Sequence, residues 1–520
     1  MNFKHNSMAR ILFIMLFTFY ITAANAQKEV IYQVFQRSFF DSNGDGNGDL
    51  PGITQKLDYL GRLGVTTIVV TPLYQSDFYH NHFATDFEKI DPEYGSFKEY
   101  RDLVQEVHRR KMKIYQDVAM QYISGKHPWF TDSYKNPSSK YSSYVYYNDK
   151  KNEKPWYFFD TPEFTTYNDQ KEQIIVVNLK DPKVKEYTYK VLKYWMDPDG
   201  NGSFYDGVDG FRLDHMMYDL DNAGKLTNLF KDFWAPLLAD LKKINPDLKI
   251  VAAQANRNSY GYEYFTKGTT DRVLAFRLQQ AISTFDKKKI IAAADSTFIQ
   301  MPGKEQVVFL ENHDTKRFAT VAGADVRKLK IGAALNILMG GVPLLYYGQE
   351  LGMQGEPLKG STDGNEIPLR EAFEWYANTD GPGMALWYKD TGQWWDKRNA
   401  KPNDGISLEE QQKDPNSLFN YYRLLLHLHK MEHAIAYGSY NNVPNRSQNV
   451  FSFTRASDKG KVLVMINLSG TDETVTIDDS YAINLSVLKL LSGSDIKFPR
   501  GGRTITLPPY AVQVWRVLHN

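Results

Sequence analysis

In the segment GVDGFRLDH, Arg212 and Asp214 stand two residues apart in an apolar run. Residues two apart on a strand project to one face, so the pair is expected to point the same way, the guanidinium keeping the carboxylate ionised and oriented. A carboxylate held in that state is a nucleophile. Comparable runs also end in polar groups: Asp117 in IYQDVAMQY, His313 and Asp314 in FLENHD, and Gln349 with Glu350 in LLYYGQELGM. A different chemistry is offered by DSNGDGNGDL, Asp41 to Leu50. It places oxygen ligands at Asp41, Asn43, Asp45 and Asp49, with glycines that let the chain wrap a hard cation. Calcium is the expected occupant. The loop is not an EF-hand, because Gly52 stands where the bidentate Glu would be.

These residues need a scaffold, and the spacing of short β-branched or aromatic runs between helical stretches predicts one. The expected strands are Val30 to Phe35, Thr66 to Thr71, Lys113 to Val118, Gly207 to Leu213, Lys249 to Ala253, Arg272 to Phe276, Gln306 to Leu310 and Val342 to Tyr347. Such alternation builds a parallel sheet with crossover helices, and eight strands suggest an α/β fold closed as a (β/α)8 barrel, where chemistry gathers at the carboxyl ends of strands. The barrel is expected over 27–118 and 181–432. Between them, the Tyr-, Lys- and Asn-rich stretch 119–180 is too long for an ordinary loop and reads as a subdomain inserted after the third strand. After about Glu432 alternating strands separated by Gly, Asn and Asp turns predict a C-terminal antiparallel β-sandwich over 433–520.

Composition narrows the class of partner. The 62 basic and 61 acidic residues nearly cancel, which argues against nucleic acid or an anionic membrane and favours a neutral ligand. Aromatics make up 14% of the chain, with 34 Tyr and 9 Trp, and flat rings cover the apolar faces of sugars. Lys4 and Arg10, the apolar run Ile11 to Ala24, and Ala24-Asn25-Ala26 read as a signal peptide, residues 1–26, cleaved before Gln27. The alternative is an N-terminal anchor, for which the run is short. A secreted or periplasmic protein without stable membrane insertion is therefore expected. With 0 Cys, disulfides and thiolate chemistry are excluded.

Gly207 to His215 closely resembles the nucleophile motif on the fourth barrel strand of the α-amylase superfamily, glycoside hydrolase family 13. Phe309 to Asp314 resembles the seventh-strand motif, Gly341 to Met353 the eighth, Gly64 to Ser76 the second, and Asp117 matches the Asp ending the third. The resemblance spans essentially the whole mature chain. It implies Asp214 as nucleophile beside Arg212, Asp314 and His313 on sugar hydroxyls, and Asp117 in the substrate site. It also implies a structural calcium ion in the loop after the first strand, and α-glucan or malto-oligosaccharide as substrate. The Asn-His that usually follows Asp117 is replaced by Gln121 and Tyr122, which makes Gln121 a substitute sugar ligand and His127 a candidate to fill the gap.

Three positions depart from the pattern around one sugar subsite. A retaining glycosidase needs a second carboxyl about 5 Å from the nucleophile to protonate the leaving oxygen. In the family this is a Glu ending the fifth strand. Here KIVAAQANRN places Ala253 in that slot, leaving the general-acid position vacant, or Gln254 in an alternative alignment. Neither side chain has a transferable proton. His82 stands where the family has a stacking aromatic, and Arg257 where Trp is usual. Two functions remain open: an impaired α-amylase-type hydrolase, and a catalytically inactive malto-oligosaccharide-binding protein.

Overall fold

The computed structural model describes residues 28–216, 224–477, 485–487 and 504–517. The signal-peptide reading and its cleavage point lie outside the described residues. Among those described, no helix is long and apolar enough to cross a membrane.

Eight parallel strands close into a barrel: β1 (Ile31–Val34), β2 (Thr67–Val70), β3 (Lys113–Val118), β4 (Gly210–Met216), β5 (Lys249–Gln254), β6 (Arg272–Leu274), β7 (Glu305–Val308) and β8 (Val342–Tyr346). The runs expected from the sequence are these strands, with ends moved by up to three residues. β4 reaches to Met216 and so includes Asp214, whereas β7 stops at Val308, leaving His313 and Asp314 on the loop beyond it.

Side chains alternate between the barrel interior and the helix layer. Ile31, Val69, Tyr115, Val251, Ala253, Leu274, Val307, Val342 and Leu344 fill the interior. Ala252 and Val273 face the helices instead. Gly210 is required by this packing, since a Cβ there would lie 2.5 Å from the Lys249 carbonyl oxygen and 2.8 Å from the Tyr115 ring.

The crossover helices carry explicit start signals. The helix Leu50–Leu63 begins at Asp49, whose side chain accepts from Gly52 N, and stops at Gly64 in the left-handed region with φ 108°. The helix Phe97–Arg109 opens on a Ser96–Glu99 capping box, and Pro182–Met196 on Asp181.

Within 119–180, Tyr122–Ser124 and Ile174–Val176 join Tyr74–Ser76 and Ala84–Ile90 in a four-stranded sheet over the barrel mouth. Towards the C-terminus, Ser439–Asn442, Val450–Ser457, Gly460–Asn467, Val512–Val517 and Leu485–Val487 form one antiparallel sheet, and Glu473–Thr476 pairs with Thr504–Leu507. Helix does not end at Glu432 as the sequence suggested. A short helix, His433–Tyr437, follows before the first strand of this sheet. The buried Arg455 joins the two parts, donating to the carbonyl oxygens of Leu338 at 3.3 Å and Gly438 at 2.5 Å.

Candidate active site

Asp214 sits near the carboxyl end of β4, inside the barrel mouth, and is 7% exposed. Arg212 Nη1 donates to Asp214 Oδ1 at 3.0 Å and also to Asp117 Oδ2, the short partner of the two, so one buried guanidinium bridges two carboxylates. Burial pushes the Asp214 carboxyl up, but the charges of His215 and Arg212 outweigh it and hold its pKa at about 2. Asp117 goes the other way. Its complete burial and the like charge of Asp214 raise it to about 7 despite Arg212. Asp214 is thus the carboxylate prepared to act as a charge.

Opposite Asp214 the pairing of β4 with β5 slips. Leu213 pairs with Ala252 and Met216 with Gln254, so Asp214 and His215 together face Ala253. His215 takes a left-handed φ of 41°, as expected of a bulge that re-aims a side chain at a site. Ala253 belongs to the interior set, so a methyl group is what β5 presents beside the nucleophile position. Gln254 points the other way. Its Nε2 donates to Ser259 O at 3.3 Å and lies beside Gly261 and Val273, on the helix side of the strand.

The loop after β7 supplies the other wall. His313 is fully buried, its Nδ1 2.9 Å from Gln33 Nε2, and its Nε2 has no hydrogen-bond partner. His82, 8% exposed, lies with its ring centroid 5.2 Å from that of His313 at an interplanar angle of 30°, and its Nε2 is likewise unpaired. Burial holds His82 at about 4 and His313 well below the usual range, so both imidazoles are neutral near pH 7. His82, Asp214 and His313 bring one polar atom each within 4.8 Å of one another, a convergent set of donors and acceptors suited to sugar hydroxyls. Asp314 is contacted by Arg257 Nη2 at 3.2 Å and Arg370 Nη2 at 3.3 Å. Burial opposes its ionisation, but His313, Arg257 and Arg370 hold it well below the carboxylate range.

These groups open onto a cleft of about 620 Å³. One wall is aromatic, with Phe78, Phe83, Tyr122 and Phe158 behind the exposed Phe159; the facing wall carries Asp314, Glu366 and Arg370. His82, Asp214, Asp314 and Arg257 line it; Asp117 and His313 stand behind them. Two sequence expectations are corrected. Gln121 is not on the cleft wall, because its Nε2 donates to the backbone oxygen of Asp214 at 2.9 Å and so braces the nucleophile strand from behind. His127 does not reach the site. Its Nδ1 accepts from Trp129 N at 3.1 Å, capping the helix Pro128–Ser133, and its ring packs on Phe87 and Trp129.

The residue sequence reasoning missed is Arg370. It holds the His313 carbonyl oxygen at 2.9 Å, the Tyr79 hydroxyl at 2.6 Å and Glu366 at 2.6 Å, tying three segments to Asp314. No local motif marks it, since its partners are up to 291 residues away. Asp363, pushed up to about 7 by burial, also lines the cleft and was invisible for the same reason.

In the loop Asp41 to Asp49 the side-chain oxygens accept from the loop itself. Asp41 takes Gly44 N at 2.7 Å and Gly46 N at 2.8 Å, Asp45 takes Asn47 N at 2.8 Å, and Asp49 takes Ser42 N at 3.1 Å. Gly44 and Gly46 are left-handed, with φ of 85° and 95°. The donor set is all hard oxygen, which suits calcium.

Comparison with known proteins agrees with this geometry. A family model described as the α-amylase catalytic domain matches residues 33–438, and one described as the α-amylase SusG C-terminal domain matches 450–514. The chain is 27% identical over 528 residues to Alpha-amylase 3 of Dictyoglomus thermophilum, covering 98% of each. It is 26% identical over 567 residues to an oligo-1,6-glucosidase of Parageobacillus thermoglucosidasius, covering 94% of this chain and 98% of that one. The crystal structure of an α-amylase from H. orenii superposes with TM-score 0.75 at 26% identity, covering 95% of this chain and 100% of the other.

Proposed function

The chain belongs to the α-amylase family of glycoside hydrolases, acting on α-glucosidic bonds, and we propose that it cleaves starch-like oligosaccharides by a retaining route whose acid step is impaired. The observation that carries this is the pairing of an ionised, buried Asp214 with a methyl group, Ala253, at the facing inward position. Asp214 attacks the anomeric carbon and forms the covalent glycosyl intermediate, while Asp314 and His82 Nε2 hold ring hydroxyls and His313, packed against His82, supports them from behind. The leaving oxygen takes its proton from water and not from β5, and a second water, without base assistance, then attacks the anomeric carbon and releases Asp214. Loss of general acid catalysis lowers rate by about 10²- to 10⁴-fold and does not abolish it.

The aromatic wall of the cleft supports a second reading, in which malto-oligosaccharide is bound and not turned over. α-Glucosyl fluoride separates the two, because fluoride leaves unaided. Under the first reading the fluoride is consumed while starch is barely touched, and added azide, which needs no base, attacks the covalent intermediate and releases α-glycosyl azide. Asp214→Asn abolishes both. Maltoheptaose binding with the fluoride left intact would establish the second reading instead.

Asp41, Asn43, Asp45 and Asp49 would hold one calcium ion, which would fix the loop between β1 and the helix Leu50–Leu63. Export to the periplasm or medium fits a polymeric substrate too large to enter a cell.

A further inference from the structure

The turn joining the helix Pro182–Met196 to β4 reads DPDGNGSFYD, Asp197 to Asp206. Asp197, Asp199 and Asp206 each bring one carboxylate oxygen within 4.8 Å of the others. Carboxylates do not gather at that distance without a counter-charge. The loop's own amides satisfy part of the set: Asp197 accepts from Gly202 N at 3.1 Å, Asp199 from Asn201 N at 3.0 Å, and Asn201 Oδ1 from Ser203 N at 2.7 Å. Asp206 is different. It is 3% exposed, and neither of its carboxylate oxygens has a hydrogen-bond partner, although both are buried against the cluster. Its ion pair is with Arg101, whose Nη2 lies 3.2 Å from Asp206 and 3.8 Å from Asp199. Three carboxylates against that guanidinium leave a surplus of negative charge in a partly buried cluster.

We propose that this loop is a second calcium site, with the carboxylates of Asp197, Asp199 and Asp206 and the side-chain oxygen of Asn201 as protein ligands. An all-oxygen set of carboxylates and an amide selects calcium over magnesium, which holds its waters and demands a stricter octahedron. The site is separate from Asp41 to Asp49 and from the cleft. It lies at the amino end of β4, four residues before Gly210, whereas the cleft lies at the carboxyl ends. Its role follows from that position. Val208 N donates to Trp195 O at 3.0 Å and a Cβ on Gly207 would sit 2.1 Å from the Met196 carbonyl oxygen, so the loop clamps the start of β4 against the preceding helix. An ion there fixes the strand that carries Arg212 and Asp214 and takes no part in bond cleavage.

The test uses the full chain carrying Asp45→Ala, so that the first loop is disabled, stripped with chelator and titrated with calcium chloride. Metal analysis and thermal melts are the readouts. One calcium per chain remains in this background and raises Tm, and adding Asp206→Asn removes both the ion and the rise. Asp199→Ala, at a side chain one-third exposed, is the second variant should Asp206→Asn fail to fold, and it has the same effect. The proposal is overturned if Asp45→Ala alone abolishes calcium uptake by folded protein. It is equally overturned if calcium uptake and the Tm rise survive Asp199→Ala in that background.

Discussion

Arg257 reaches across the cleft to Asp314, its Nη2 3.2 Å from Oδ2 and its Nη1 3.4 Å from the backbone oxygen of the same residue, with its guanidinium 5.3 Å from the Phe276 ring. The carboxylate that would take sugar hydroxyls is therefore already engaged by a cation standing at the cleft wall. Arg257 is more than a third exposed and the pair is worth little by itself, about 0–1 kcal/mol. A sugar must still displace it.

Arg257→Ala is expected to tighten maltoheptaose binding several-fold, since Arg370 keeps Asp314 ionised after Arg257 is gone. Calorimetry reads this directly, and an unchanged or weaker affinity would remove Arg257 as a competitor for the subsite.

Ala253→Glu is expected to raise malto-oligosaccharide hydrolysis by about tenfold or more, because it returns a proton donor to the inward position facing Asp214. Gln254→Glu changes the rate by less than about twofold, its side chain lying towards Ser259 and Val273. Reversal of this order in initial-rate assays would move the acid position to Gln254.

Arg212→Met leaves Asp117 and Asp214 facing each other without their shared cation, and is expected to destabilise the fold by about 3–5 kcal/mol. Asp117 takes up a proton readily, its pKa being raised already, so the loss is larger at pH 8 than at pH 5. Denaturant melts at the two pH values check the sign. An equal loss at both would mean that carboxylate repulsion is not its cause.

Glu374 is 3% exposed, and burial with the nearby charges of Asp404 and Glu371 raises its carboxyl to about 9. A carboxyl raised in the folded state contributes stability that is complete below its unfolded value and is lost as pH rises through the folded value. Glu374→Gln should therefore gain stability over the parent progressively from about pH 5 to pH 9, by roughly a few kcal/mol at the upper end. Parallel melting curves of parent and variant across that window would count against the assignment.

Asp45→Ala is expected to remove one bound calcium ion and lower Tm in calcium-containing buffer, because binding to the folded state alone stabilises it. Chelator should then shift the variant less than the parent. An identical chelator response of the two proteins would take the ion away from the Asp41 to Asp49 loop.

The eight strands were legible because parallel strands buried on both faces must read as short apolar runs, and Arg212 with Asp214 because a period of two fixes a common face before any tertiary contact forms. What the chain order could not supply was partnership across long separations. Gln121 and His127 lie close to Asp117 in sequence, yet one braces the backbone of Asp214 and the other caps a helix, since hydrogen-bond demand and packing decide where a polar side chain turns. Arg370 meets His313 and Asp314 only because the loop after β8 folds back over the barrel mouth. That Ala253 faces the barrel interior and Gln254 the helix side follows from which face of β5 looks inward opposite a slipped register, a property that belongs to the pairing of two strands and to neither sequence alone.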